Sequence, residues 1–269
     1  MAAVEAFLRV LAPSRTARLR DELGVLATAY PGSRPDPERR LVDEAEDLLA
    51  FLEGYGPGAA GVLRHARILC RAADLVTRPR RHRDPERTVF AARDRYMAEA
   101  VDRLLEDPRA KVVLWAHNGH IAKARHGSAL AMGEHLRARY GDAYYALGLM
   151  FGEGSFRAHR VRPGPWPGRG SRRPEANHVG PPPAASVEAR LAAATAVDHL
   201  VDLRAVDEAP EEVRRWAYGP HPTRSYGAQV ARRSYRFNTT PCEPAREFDG
   251  LAYVTWTSAT LDLEAARAG

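Results

Sequence analysis

The feature that most limits what this chain can fold into is a change of hydrophobic period at Asp107-Pro108. Before it, apolar residues recur at helical spacing; after it come short apolar runs broken by glycine and proline. Residues 14–30 carry Leu19, Leu23 and Leu26 on one stripe and stop at Pro31-Gly32. Residues 35–55 begin with Asp36 as N-cap and align Leu41, Leu48, Leu49 and Leu52. Residues 61–77 continue with Val62, His65, Leu69 and Cys70, and a longer helix over 84–106 presents Val89, Phe90, Met97, Val101, Leu104 and Leu105. Amphipathic helices in series need a surface to bury against.

Beyond the break, Lys111-Val-Val-Leu-Trp115 is a continuous apolar run that predicts a strand buried on both faces. A helix over 128–140, stopped at Gly141, and a second strand over 144–150 complete a strand-helix-strand series with a right-handed crossover. The predicted class is therefore α/β: a helical amino-terminal region, residues 1–108, packed on a small, mostly parallel sheet within an α/β region, residues 109–269. Residues 162–185 are rich in Pro and Gly and read as one irregular loop. A helix over 186–195, a strand over 199–203, a short helix over 210–216 and a last strand over 251–256 follow.

Composition narrows the partners. The chain has 269 residues, 45% of them hydrophobic, which excludes wholesale disorder and fibrous classes and leaves one large domain or two small ones. Its net charge of +6 comes almost wholly from arginine, since Lys111 and Lys123 are the only lysines. Those arginines alternate with carboxylates, as in Asp84-Pro-Glu-Arg87, so no nucleic-acid partner is expected. No run approaches the length of a membrane span, and the opening residues lack a secretory pattern. Cys70 and Cys242 lie far apart, which fits a reduced, cytoplasmic protein. His65, His82, His159, His178, His199 and His221 are scattered, without the paired spacing that zinc sites show, and no cofactor is expected.

The chemistry concentrates in Leu114-Trp-Ala-His-Asn-Gly-His120. His117 and His120 fall three residues apart, a spacing that one helical turn brings to one side. Imidazole pairs suit general acid-base work or metal binding, and Asn118 offers a donor for a developing oxyanion. The same spacing also fits a hydrogen-bonded cap without chemistry.

A longer ordered series frames this block. Arg93-Asp-Arg-Tyr-Met-Ala-Glu99 precedes it; Met132-Gly-Glu-His-Leu136, Tyr140-Gly-Asp-Ala-Tyr-Tyr145 and Phe151-Gly-Glu-Gly-Ser-Phe156 follow. The series resembles the erythromycin esterase family, most specifically in Trp-Ala-His-Asn-Gly-His. The resemblance implies a bacterial hydrolase of carboxylic esters or macrolide lactones, hence a response to antibiotic, acting through activated water without metal. It carries His117 and His120 over as residues that orient water or polarise the ester carbonyl. Arg93 and Asp94, together with Asn118 and Glu153, become supporting or substrate-binding residues. The family's amino-terminal Gly-Glu-x-x-His-Gly block has no counterpart here. The resemblance thus implies a shortened member with an incomplete fold and impaired turnover, or else a non-catalytic binding module, and an exposed sheet edge through which copies self-associate.

Overall fold

A computed structural model describes residues 1–36, 38–124, 129–161 and 173–261. The chain divides into two compact units, one from Met1 to Val112 and one from Val113 onward, with residues 129–130 grouping with the first.

The first unit is helical. It comprises α1 (Ala2–Leu11), α2 (Pro13–Leu23), α3 (Arg40–Glu53), α4 (Ala60–Thr77) and α5 (Val89–Leu104). The apolar stripes of α2, α3 and α4 meet with α1 in one core, where Leu8, Leu52, Ala45 and Ala66 have no exposed surface. α1 has no counterpart in the periodicity reading, yet its Val4 and Leu8 are wholly buried. Each such side chain contributes about 1.5–3 kcal/mol of transfer free energy. α4 and α5 are tied by Asp74, which accepts from Arg78 Nε at 2.6 Å and from the Tyr96 hydroxyl at 2.7 Å. Thr88 caps α5 by accepting from the Ala91 N–H.

The second unit opens with two helices, α6 (Asn118–Ile121) and α7 (Met132–Tyr140), followed by the long strand β1 (Leu147–Val161). Then come β2 (Glu175–Val179), α8 (Val187–Ala194), β3 (His199–Asp202), α9 (Glu211–Tyr218), β4 (His221–Arg224), β5 (Gln229–Ala231), β6 (Thr239–Cys242), α10 (Pro244–Glu247) and β7 (Gly250–Thr257). The main sheet has the order β2-β1-β7-β3, with β5 also on β1, and β4-β6 form a separate pair. The α/β class holds. β1 runs parallel to β7 and β5 but antiparallel to β2, and β3 is antiparallel to β7, so the sheet is mixed.

Three expectations are corrected. Residues 111–115 form no strand: Val113 and Trp115 are 95% and 88% exposed, so the apolar run has no sheet neighbour and the first half of the expected βαβ unit does not form. β1 continues well past Met150, through a stretch whose glycines and charges hide its strand character. Gly154, inside it, adopts φ +120°, and a Cβ there would fall 1.9 Å from the Thr257 carbonyl oxygen. Finally, the Pro- and Gly-rich stretch contains β2, held to β1 with Phe156 opposite Asn177. The expected loop residues 162–172 lie outside the described residues.

Odd-numbered residues of β1 before Gly154 share one face with Ala252, Val254 and Trp256 of β7, and even-numbered ones share the other with Leu251 and Tyr253. Met150 and Tyr253 are buried, and α8 lies against both strands. No described helix is long and apolar enough to cross a membrane.

Candidate functional site

The second unit holds a cavity of about 270 Å³. Its walls come from the start of α6, the middle of β1, the first turn of α8, and β4, β6 and α10.

His117 stands at the entrance to α6. Its backbone is extended, and its Nδ1 accepts from the Gly119 N–H at 3.0 Å, so the imidazole caps the helix. An N–H can only donate, so Nδ1 is the acceptor and the proton of the neutral ring sits on Nε2. His117 is in that state a hydrogen-bond donor. The His120 ring lies beside it, 6.4 Å between centroids and steeply inclined. The three-residue spacing therefore does bring the two histidines together, although only His117 lines the cavity.

Asn118 also lines the cavity, but its amide is committed to β1. Nδ2 donates to the Leu149 carbonyl at 2.8 Å, and the Leu149 N–H donates to Oδ1 at 3.0 Å. These bonds use one of the two Nδ2 protons and make Asn118 a residue that positions the start of α6 against β1. Behind this segment, α6 and α7 pack so closely that a Cβ on Gly133 would sit 2.2 Å from the Ile121 carbonyl oxygen. The Tyr144 hydroxyl donates to that same carbonyl at 2.6 Å.

Two carboxylates that the sequence reading did not single out line the cavity: Glu188 and Glu247. Glu188, 1% exposed, sits in the first turn of α8, where Oε1 accepts from the Thr223 hydroxyl and the Arg224 N–H, both at 2.8 Å. Glu247 accepts from the Glu243 N–H at 2.9 Å. Burial raises the Glu247 pKa above the ordinary carboxylate range, although the Glu243 N–H draws it back. Beside it, burial also raises the Cys242 thiol, which removes it as a nucleophile near neutral pH. Opposite, Phe156 and Tyr226 stack at 4.2 Å between centroids.

An acid in the first turn of a helix is ordinary, so nothing in Ser186-Val-Glu188 marks that residue in advance. The other expected residues lie elsewhere. Glu153 is on β1 opposite Trp256 and does not line the cavity. Arg93 and Asp94 belong to α5 in the first unit, where they form an ion pair at 3.4 Å with Asp94 almost fully buried. Among the described residues no cluster of three His, Cys, Asp or Glu side chains is arranged to hold a metal ion.

Next in sequence to Phe248, which lines the cavity, Asp249 forms a largely buried ion cluster. Asp249 accepts from Lys123 Nζ and the Ala146 N–H, both at 2.8 Å, and from the Arg137 guanidinium. Burial alone would raise the Asp249 pKa, but these three donors outweigh it and hold the carboxyl below its usual range.

Comparison with known proteins gives a consistent picture. The sequence model of a family described as erythromycin esterase matches residues 1–257. The crystal structure of a succinoglycan biosynthesis protein aligns over 95% of this chain and 60% of its own, with TM-score 0.70 and 18% identity. A Bacillus cereus protein aligns over 95% of this chain and 62% of its own, also with TM-score 0.70, at 19% identity. A mutant of erythromycin esterase EreC in its open conformation aligns over 97% and 66%, with TM-score 0.64 and 18% identity. At these identities the likeness is one of fold, and the chain spans 60–66% of the length of those structures.

Proposed function

The chain belongs to the erythromycin esterase family, and on that premise we propose that it hydrolyses carboxylic esters, macrolide lactones among them, in the cavity of its second unit. The observation that carries this reading is the place of His117 in the cavity wall, with Nδ1 held by the Gly119 N–H so that the proton of the neutral ring falls on Nε2. An Nε2–H aimed at an ester carbonyl stabilises the oxyanion that forms when water attacks. His120, whose ring stands beside His117 outside the cavity lining, positions that imidazole. Asn118 holds both by fixing the start of α6 to β1. No step calls for a metal or cofactor. Two free cysteines, neither bridged, support placement in a reducing compartment such as the cytoplasm.

The test is hydrolysis of p-nitrophenyl butyrate and of a 14-membered macrolide lactone by the full chain, with His117→Ala and His120→Ala beside it. Turnover that His117→Ala reduces by about 100-fold or more supports the reading. Turnover equal in all three proteins, or none with any ester, overturns it.

A further inference from the structure

The two faces of the main sheet are unequally covered. α8 lies against the face that carries Met150 and Tyr253, both buried. On the other face the strand register sets Leu200 of β3 opposite Ala252 of β7, and Ala252 opposite Leu149 of β1, with Val254 and Trp256 following along β7. Leu149 and Val254 are exposed, Trp256 is 65% exposed and Leu200 73%. Tyr145, also exposed, reaches over Gly250 at one end of this face, where a Cβ on the glycine would run into the phenol hydroxyl. β1 and β7 run parallel, and parallel pairs are ordinarily buried on both sides.

We propose that two copies of this chain associate through this face, about a two-fold axis lying across the strands, rather than along the sheet edge expected from the sequence. Leu149, Leu200, Val254, Trp256 and Tyr145 offer about 500 Å² at the printed exposures, with a whole aromatic side chain taken as 150–250 Å². That is more than half of the roughly 800 Å² that each partner contributes to a standard interface. Two sheets stack about 10 Å apart with their strands nearly aligned, so the apolar centre of one copy meets that of the other. Charge sets the axis. Glu153, opposite Trp256, stands at one end of the face, and Arg204, over the Tyr145 ring at 5.1 Å, stands at the other. An axis across the strands brings Glu153 of one copy toward Arg204 of the other; an axis along them sets each end against its own kind. Arg204 gives Nε and Nη2 to Asp202, and Nη1 serves the partner's Glu153. The strand positions of this face hold the acids Glu153 and Asp202 but no base, which disfavours an anionic lipid surface as the occupant.

The experiment is sedimentation equilibrium of the full chain from about 1 to 100 µM, a range in which an interface of modest area is partly dissociated. A dimer that dissociates on dilution is expected. Trp256→Ser and Leu200→Ser alter side chains that the fold leaves in water, so both keep the far-ultraviolet circular dichroism of the parent. Trp256→Ser is expected to raise the dissociation constant about 30-fold or more, as for a Trp at the centre of an interface. Leu200→Ser is expected to raise it about 3- to 10-fold, and Glu153→Arg, which sets like charges together, by a similar factor. Phe237→Ser, at an exposed residue outside this face, is expected to leave it unchanged. A monomer throughout the range, whatever else then covers the face, overturns the proposal. So does a dissociation constant that is unchanged in Trp256→Ser and Leu200→Ser, or that rises as much in Phe237→Ser. Association equal or tighter in Glu153→Arg overturns the two-fold arrangement.

Discussion

The side-chain amide of Asn118 occupies a rung on the edge of β1, giving and receiving one hydrogen bond with the backbone of Leu149 at 2.8 and 3.0 Å. A carboxamide reproduces the donor and acceptor of a peptide group, so one residue stands in for a neighbouring strand. Asn118→Ala removes both bonds and is expected to lower unfolding free energy by about 1–2 kcal/mol. Asn118→Asp keeps the acceptor but sets a carboxylate against the Leu149 carbonyl, and is expected to be at least as destabilising at pH 7. Urea unfolding of the three proteins checks both; parent-like stability in Asn118→Ala would sink the account.

His117 caps α6 and faces the cavity, and substitutions separate the two tasks. Asn at an N-cap accepts from the same N–H, so His117→Asn is expected to stay within about 0.5 kcal/mol of the parent, whereas His117→Ala loses about 1 kcal/mol. Both lose the imidazole, so ester turnover should fall by about 10²- to 10⁴-fold in each. Thermal unfolding and initial rates on p-nitrophenyl butyrate, measured together, test the division.

The same two residues show how far the sequence could be read. The three-residue spacing of His117 and His120 is a local property, and it survives in their ring-to-ring approach of 6.4 Å. The stripes of α3 and α4 are local too, and they point into the core as expected, whereas the α5 stripe buries Val89 and Val101 but leaves Phe90 and Leu104 exposed. Pairing between strands is not local. Lys111-Val-Val-Leu-Trp115 has the composition of a buried strand, but composition cannot supply a neighbour, and Trp115 stays exposed. The converse holds for Glu188, whose burial depends on β4 folding over the start of α8, a contact between residues about 35 positions apart.

Gly154 is where β1 passes from pairing with β7 to pairing with β2, at φ +120°. Gly154→Ala places a Cβ 1.9 Å from the Thr257 carbonyl oxygen in a backbone region that side chains avoid. The expected cost exceeds about 3 kcal/mol, equivalent to a fall of about 6–12 °C in Tm for a chain of this size. Differential scanning calorimetry decides it; a shift under about 2 °C would mean that β1 and β7 separate here without penalty.

Glu247 links stability to pH in an unusual direction for a carboxyl. Burial raises its folded pKa above the unfolded value, so between the two the folded state binds more protons and stability falls as pH rises. That contribution is complete below about pH 4.3 and is lost as pH passes through the raised folded pKa. Glu247→Gln abolishes the titration and is expected to flatten this part of the profile, gaining on the parent toward neutral pH. Urea midpoints from pH 4 to 8 report the difference, and parallel profiles for the two proteins would contradict it.

Asp249 titrates with the opposite sign. Burial opposes its charge, but Lys123, Arg137 and the Ala146 N–H together favour it and depress the folded pKa. Below the unfolded carboxylate pKa, about 3.9, the unfolded chain binds more protons, so stability rises with pH through this window. The contribution is present above about pH 3.9 and disappears as pH falls through the depressed folded value. Asp249→Asn leaves Lys123 and Arg137, 14% and 25% exposed at their side chains, without their shared counter-charge. Breaking one member of a buried cluster costs about 3–5 kcal/mol, so the variant should be weaker by that amount at pH 7 and should approach the parent in strong acid. Parallel acid-unfolding curves, read by circular dichroism from pH 7 to pH 2, are expected to converge at the acid end. A gap as wide at pH 2 as at pH 7 would show that Asp249 acts through its shape and its bond from Ala146 and not through its charge.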